Sequence, residues 1–350
     1  MAKERNLVYD AIKLFAILMV LWGHAVAYLQ TSDPTENPVF IAIYSFHMPL
    51  FMTVVGFFSG SVAEKRFSDF ITIKARQLLL PPLVVGVFLA VGVWLKSGPS
   101  IALNSIISSY WFLKSAFLCF LIYYVGTKVE SWRWLGIVFS LVVSLCITDF
   151  GVDRLYPYFL LGILLRTYQS YLKVKAGMIA ICSGAVFILM LPHFNSEILV
   201  ARCLAAFKTA INEHEYAGLY CYLFRFVIGL AGSLFFISLF EYLSMKITAG
   251  KYGRMIAAWG AETLGVYLFQ TILLELPPKY IGHIDGMNPK VYNFIVTPAV
   301  SLGVLGISLL LIDLIKRNRW LSFFVLGKRL DVRDEKKQKS HYFDAESSQV

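Results

Sequence analysis

Three ionisable residues stand in the first apolar segment of the chain, which reads DAIKLFAILMVLWGHAVAYL and contains Asp10, Lys13 and His24. On a helix that turns about 100° per residue, Lys13 and His24 share nearly the same face about three turns apart, and Asp10 lies one turn before Lys13. An ionisable group without a partner costs on the order of several kcal/mol in hydrocarbon, so this stripe must face other helices or a water-filled cavity. A neutral imidazole in such a place is suited to act as a general base near neutral pH.

Other polar residues interrupt later apolar segments. Lys114 in WFLKSAF and Arg225 in YLFRFVIG lie away from the ends of their segments, so each needs an anionic partner, either a carboxylate or a bound phosphate. His47 precedes a Met-Pro pair that predicts a kink, and it is either a structural imidazole or a catalytic one. Gln270 in GVYLFQ is expected to face the interior of the protein.

Composition predicts the elements that hold these residues. Hydrophobic residues make up 58% of the 350-residue chain and charged residues only 15%, a balance typical of a multi-pass membrane protein. Apolar runs of membrane-crossing length predict an all-α bundle of about ten transmembrane helices. The predicted spans are 8–30, 39–61, 78–95, 102–126, 134–149, 154–167, 176–192, 217–241, 257–277 and 292–315. The fifth and sixth are separated only by TDFGVD, so they form either two spans or one re-entrant hairpin.

The distribution of charge predicts the topology. Ten spans place both termini on one side, and the segments on that side carry most of the 32 Lys and Arg residues. The positive-inside rule therefore predicts cytoplasmic termini in a cell (inner) membrane. The net charge of +10 reflects this topology and an attraction to anionic membrane lipid, and it does not indicate a nucleic-acid partner.

One membrane domain, residues 1–318, is predicted to carry the function. Aromatic and basic residues predict a short amphipathic segment in the membrane interface over 319–330, and the charged residues 331–350 predict a disordered cytoplasmic tail. The five cysteines lie mostly in apolar runs without metal-ligand spacing, so we expect neither a disulfide framework nor a metal site.

Cations outnumber acids inside the predicted membrane domain and at its cytoplasmic mouth. The main acids near them are Asp10 and Glu262, and the cations are Lys13, Lys74, Arg76, Lys114 and Arg225. A cavity lined in this way and open to the cytoplasm suits a ligand that carries phosphates. The sequence contains no GxxxxGK[ST] loop and no GxGxxG motif after a strand, so ATP hydrolysis and a dinucleotide-binding fold are not indicated.

Several motifs, taken in order, resemble the acyltransferase-3 family of integral membrane acyltransferases. The opening RNLVYDAIKLFAILMVLWGHA is similar to the first-helix signature of that family, with Arg5, Asp10, Lys13 and His24 at its positions. The segment FHMPLFMTVVGFFSG resembles the second-helix pattern, especially that of the sugar O-acetyltransferase branch. Further similar elements follow in the family's order: KARQLLLPPL, WFLKSAF, YFLLGILL, an arginine in the eighth span, and AETLGVYLFQ. The resemblance covers roughly residues 5–315.

This resemblance implies transfer of an acyl group, most often acetyl from cytosolic acetyl-CoA, to a hydroxyl of a cell-envelope glycan or lipid-linked sugar. It implies His24 as the general base, with Asp10 or Lys13 orienting and polarising the site, and either direct attack or an acetyl-histidine intermediate. Acetyl-CoA is then the acyl donor, and no permanently bound cofactor is implied. The substrate-binding candidates are Lys74, Arg76, Lys114, Arg225, His47, Trp111 and Gln270.

Two departures from the family pattern bear on these roles. Gln270 stands where the family often has a histidine, and because an amide does not titrate, its expected role is positioning. The basic pair before the proline is also displaced, because Gln77 stands three residues after Lys74 and the second cation is Arg76.

Two other classes of protein also fit an inward cavity with embedded charges. One is a secondary transporter or flippase, although the sequence shows neither an internal repeat nor Gly/Pro-broken helices in matching halves. The other is a scaffold or sensor without chemistry. Hydrolysis of acetyl-CoA by the purified protein separates an enzyme from both.

Overall fold

The computed structural model describes residues 6–60, 62, 64–97, 109–128, 133–248 and 250–330. Those residues form helices and turns, without a β-strand, which confirms the all-α prediction. The helices are α1 (Leu7–Tyr28), α2 (Pro38–Tyr44), α3 (His47–Phe57), α4 (Phe67–Leu78), α5 (Leu80–Ser97), α6 (Trp111–Gly126), α7 (Arg133–Cys146), α8 (Val152–Thr167), α9 (Gln169–Met190), α10 (Ser196–Val200), α11 (Cys203–Asn212), α12 (Ala217–Tyr242), α13 (Ser244–Thr248), α14 (Gly250–Gly260), α15 (Thr263–Gln270), α16 (Leu276–Ile281), α17 (Pro289–Val291), α18 (Thr297–Lys316) and α19 (Arg319–Leu326). Two π-helical turns, Thr271–Glu275 and Tyr292–Val296, join α15 to α16 and α17 to α18.

Within the described ranges, six helical stretches are long and apolar enough to cross a membrane. They are Leu7–Tyr28, Pro38–Phe57, Phe67–Val91, Gln169–His193, Ala217–Tyr242 and Pro289–Lys316. Two shorter apolar helices are Trp111–Gly126 and Trp134–Cys146. The count of ten spans therefore stays a prediction, and the first residues of the predicted span 102–126 and the whole predicted tail 331–350 lie outside the described residues.

Two predicted spans are interrupted in the structure. The second breaks at Phe46, just before His47, so that the kink lies upstream of the Met-Pro pair. The ninth breaks between Gly260 and Thr263, which leaves Glu262 at the start of α15. By contrast, the predicted fifth and sixth spans are separate helices, α7 and α8, joined by a short turn in which Phe150 has a φ of 52°.

Helix α1 lies at the centre of the bundle. It contacts α3, α12, α14, α15 and α18, and its buried residues lie on every side of the helix. A helix that is apolar all round is expected in such a position, because no face of it needs to meet water. The side chains of α1 therefore point into contacts between helices, which is the condition that its ionisable residues require.

Glycines allow two pairs of helices to approach closely. Gly56 of α3 faces Gly162 of α8, and a Cβ added at either would collide with the backbone of the other helix. Gly260, at the end of α14, lies directly against the backbone of Asp10 in the same way. Small residues at such crossings are typical of helix packing in membranes, where close backbone contact replaces the hydrophobic driving force.

Candidate active site

A cavity of about 500 Å³ lies between α1, α3, α6 and α15. Its walls are mainly apolar, and at its deep end they include Val20 of α1, Met48 of α3, Phe112 of α6 and Tyr267 of α15. The hydroxyl of Tyr110 donates a hydrogen bond to the carbonyl oxygen of Leu268 at 2.9 Å, which ties α6 to α15 behind this end. The cavity is therefore an apolar slot between helices, two of which are joined by a hydrogen bond.

The other end of the cavity is basic. The cations in its lining are Lys13, Lys74, Arg76, Lys328 and Arg329. Guanidinium and ammonium groups are the usual partners of phosphate in proteins. A cationic mouth that leads into an apolar slot suits an amphiphilic ligand with phosphates at one end and an uncharged arm at the other.

Lys13 and Asp10 form an ion pair in the wall of this cavity. The Lys13 Nζ lies 2.9 Å from the Asp10 Oδ1 and 4.3 Å from the ring centroid of Phe58. Asp10 is only 4% exposed, so its carboxylate needs the lysine as a counter-ion. The pair therefore holds Lys13 at the edge of the slot, in the position that the spacing on α1 predicts.

The two basic residues of α4 lie on the other side of the mouth. The Nζ of Lys74 is 3.5 Å from the ring centroid of Phe120, where the aromatic face favours a cation. The Nε of Arg76 is buried and makes no hydrogen bond to any described residue. A buried guanidinium nitrogen in the wall of a cavity is placed to bind an anion there.

Glu262 joins the mouth to the last two helices. Its carboxylate contacts the Nζ of Lys316 at 2.8 Å and that of Lys328 at 3.6 Å. Partial burial lowers the pKa of Lys328 below that of an ordinary lysine, and the Glu262 carboxylate opposes this shift. Lys328 thus stands in the cavity wall as a partly desolvated cation.

His24 lies just beyond the deep end of the cavity. It follows Val20 by four residues on α1, which places it on the same face and about 6 Å further along the axis. Its Nδ1 is buried without a hydrogen bond to a described residue, and its ring centroid lies 5.3 Å from that of Tyr28. The imidazole is therefore next to the slot and is not itself part of the slot lining.

The rotation of α1 about its own axis is fixed at this end. The Nε1 of Trp22 donates to the Oγ1 of Thr297 at 3.0 Å, and the hydroxyl of Tyr292 donates to the carbonyl oxygen of Val26 at 2.9 Å. Trp22 points towards α18. His24 follows it by two residues, which is a rotation of about 200° on a helix, so His24 points to the opposite side. These bonds hold the imidazole away from α18.

His47 and Gln270 occupy buried positions outside the slot lining. The Nδ1 of His47 is 2.8 Å from the carbonyl oxygen of Ile43, and its ring stacks edge-on against Tyr44 at 4.5 Å. That bond closes the break between α2 and α3, which supports the structural reading of this histidine. Gln270 is 2% exposed, and its Oε1 makes no hydrogen bond to a described residue.

Lys114, Arg225 and Trp111 lie apart from the slot lining as well. The Nζ of Lys114 donates to the carbonyl oxygen of Ser109 at 2.7 Å. The Nη1 of Arg225 is buried without a hydrogen bond inside the described part of the bundle. Trp111 is 37% exposed, whereas its neighbour Phe112 lines the slot. Their predicted substrate-binding roles stay predictions.

Glu275 is a candidate site residue that the sequence motifs do not indicate. It ends the π-helical turn Thr271–Glu275, and its carboxylate lies close to the hydroxyl of Tyr28. Glu275 is therefore separated from the His24 ring by a single tyrosine. Turns of the π type are frequent at functional sites, and an acid inside the predicted span 257–277 is itself a signal of function.

Comparisons with known proteins identify the family of the chain. Residues 6–315 match the acyltransferase domain that defines the acyltransferase-3 family. The chain belongs to the acyltransferase-3 family. As a member of this family it is a multi-pass membrane acyltransferase.

Two relatives are nodulation proteins. The chain is 32% identical over 182 residues to nodulation protein NolL of Mesorhizobium japonicum, and this match covers 46% of the chain and 48% of that protein. It is 23% identical over 352 aligned residues to nodulation protein NolL of Sinorhizobium fredii, with 93% of each chain covered. The chain thus spans about half the length of the first relative and nearly all of the second. No solved structure gives a significant match.

Proposed function

We propose that this acyltransferase transfers an acetyl group from acetyl-CoA to a hydroxyl of a cell-envelope carbohydrate. The observation that carries the proposal is the slot with a basic mouth and an apolar depth, which ends one helical turn from His24. The phosphates of CoA would bind at the mouth, and the uncharged pantetheine arm would carry the thioester to the deep end. Family membership supports acyl transfer as the reaction class.

In the proposed reaction His24 is the general base. Its imidazole takes the proton of the acceptor hydroxyl while that oxygen attacks the thioester carbonyl carbon. The new C–O ester bond forms, the C–S bond breaks, and the proton on His24 passes to the departing sulfur to give free CoA. The carboxylate of Glu275, which lies close to the Tyr28 hydroxyl, would stabilise the transient imidazolium.

The proposed function is tested by comparing the envelope glycans of a strain that lacks this chain with those of its parent. We expect mass spectrometry to show the loss of acetyl-sized mass increments from one class of glycan, restored by the intact chain. Glycans of unchanged mass, together with flux of an intact solute by the purified protein, would support a transporter instead.

Replacement of Lys13 tests the donor-binding role of the mouth. We expect Lys13→Gln to raise the KM for acetyl-CoA about tenfold, because one charge-assisted contact to a phosphate is lost. The measurement is initial-rate kinetics on purified protein, with the exposed residue Lys175 replaced by Gln as the control. An unchanged KM in Lys13→Gln would remove this residue from the donor site.

The orientation in the membrane gives a separate prediction. The positive-inside rule places both termini in the cytoplasm. We therefore expect activity from a cytoplasm-specific reporter that is fused after Val350. A paired reporter that works only outside the membrane serves as the control. Activity of that second reporter would reverse the topology and move the basic mouth away from cytosolic acetyl-CoA.

A further inference from the structure

The segment that follows α18 is fastened across the mouth of the cavity. One carboxylate, that of Glu262, contacts Lys316 at the end of α18 and Lys328 just after α19. The start of α19 is capped by Asn318, whose Oδ1 accepts hydrogen bonds from the backbone nitrogens of Trp320 and Leu321. These contacts therefore hold the chain in place at both ends of α19.

The end of α19 fits closely against the end of α4. Gly327 has a φ of 62°, and a Cβ added there would press on the carbonyl oxygen of Arg76. Leu326 is 6% exposed and lines the slot together with Gly327. This fit turns the next two residues, Lys328 and Arg329, into the cavity wall on the same mouth as Lys74 and Arg76.

Within the described residues, the lining of this mouth and its contacts contain more cations than carboxylates. The carboxylate of Asp10 forms an ion pair with Lys13, and the single carboxylate of Glu262 contacts two lysines. The same lining includes Arg76, whose buried Nε makes no hydrogen bond to a described residue. An anion of more than one charge would satisfy this group of side chains.

We propose that Lys328 and Arg329 bind the 3′-phosphate of the CoA donor, so that the segment 319–329 forms one side of the donor site. The inference rests on the proposed function, since it assumes a CoA donor. In that ligand the 3′-phosphate is a terminal group at the end opposite the thioester, so it stays at the mouth when the thioester reaches His24. The segment lies beyond residues 6–315, which match the family.

Binding of two ligands to the purified full-length protein tests the inference. The probes are CoA and 3′-dephospho-CoA, which lacks only the phosphate in question, and the measurement is isothermal titration calorimetry in detergent. We expect the unaltered protein to prefer CoA by about tenfold, which corresponds to one charge-assisted contact. The double variant K328Q/R329Q is expected to lose this preference and to bind 3′-dephospho-CoA as the unaltered protein does.

Two controls isolate the effect. Arg317 lies in the same stretch of chain, but its side chain is 73% exposed and paired with Asp313. The variant Arg317→Gln should therefore keep the preference for CoA over 3′-dephospho-CoA. The charge-conserving variant K328R/R329K should keep most of it. A full preference for CoA in K328Q/R329Q would overturn the inference while leaving the donor intact. Failure of the unaltered protein to bind either ligand would overturn the proposed function as well.

Discussion

Replacement of His24 by alanine is expected to lower the rate of acetyl transfer by about a thousandfold, because a positioned general base contributes on the order of 10²–10⁴ to a rate. The KM for acetyl-CoA should change little, since His24 does not line the slot that would hold the donor. The measurement is release of free CoA, or transfer of a labelled acetyl group, by purified protein.

Two further variants separate the base from a packing effect. His24→Gln keeps a polar side chain of similar size that does not titrate near neutral pH, and it should be as inactive as His24→Ala while melting like the unaltered protein. His193→Ala removes an exposed histidine far along the chain and should retain full activity. Substantial transfer by either His24 variant would exclude this residue as the base.

Gly162→Ala is expected to destabilise the fold by about 2 kcal/mol or more, because over-packing of a tight contact forces the backbone to move. The added methyl group would meet the backbone of Thr53 and Gly56 in α3. Helix α3 also carries Met48 and Phe51 of the slot, so its displacement should lower activity together with stability. Thermal unfolding followed by fluorescence-detected size-exclusion chromatography gives the measurement.

A second glycine provides a matched control for this substitution. Gly303 also lies in an apolar helix, α18, but a Cβ added there has no neighbouring atom within 4 Å among the described residues. Gly303→Ala should therefore change the stability by less than about 1 kcal/mol, and in the stabilising direction if at all. Equal melting temperatures for Gly162→Ala and Gly303→Ala would contradict the close approach of α3 and α8.

The sequence allowed good prediction where one helix decides the geometry. Asp10 and Lys13 are three residues apart, so their ion pair follows from the helical repeat, as does the placement of His24 on the face of Val20. Apolar runs likewise predicted an all-helical bundle. These features depend on local spacing, which the sequence displays directly.

Prediction was weakest where separate segments meet. The contacts of Glu262 with Lys316 and Lys328 join residues more than fifty positions apart, and no local pattern indicates them. No local pattern indicates the π-helical turn Thr271–Glu275 either, although it places Glu275 near Tyr28. Trp111 and Phe112 are adjacent aromatic residues, and only Phe112 lines the slot. Which of the two does so depends on the rotation of α6 about its axis, and tertiary contacts set that rotation.

The placement of the donor is best measured in a structure determined by electron cryo-microscopy with CoA bound. We expect the phosphates of CoA to lie at the mouth beside Lys74 and Arg76, and its sulfur atom to lie near Val20 and Met48, within about 6 Å of the His24 ring. CoA bound outside the slot, or bound inside it with the sulfur at the basic mouth, would rule out the proposed donor site. A His24 ring that faces lipid would rule out the proposed base.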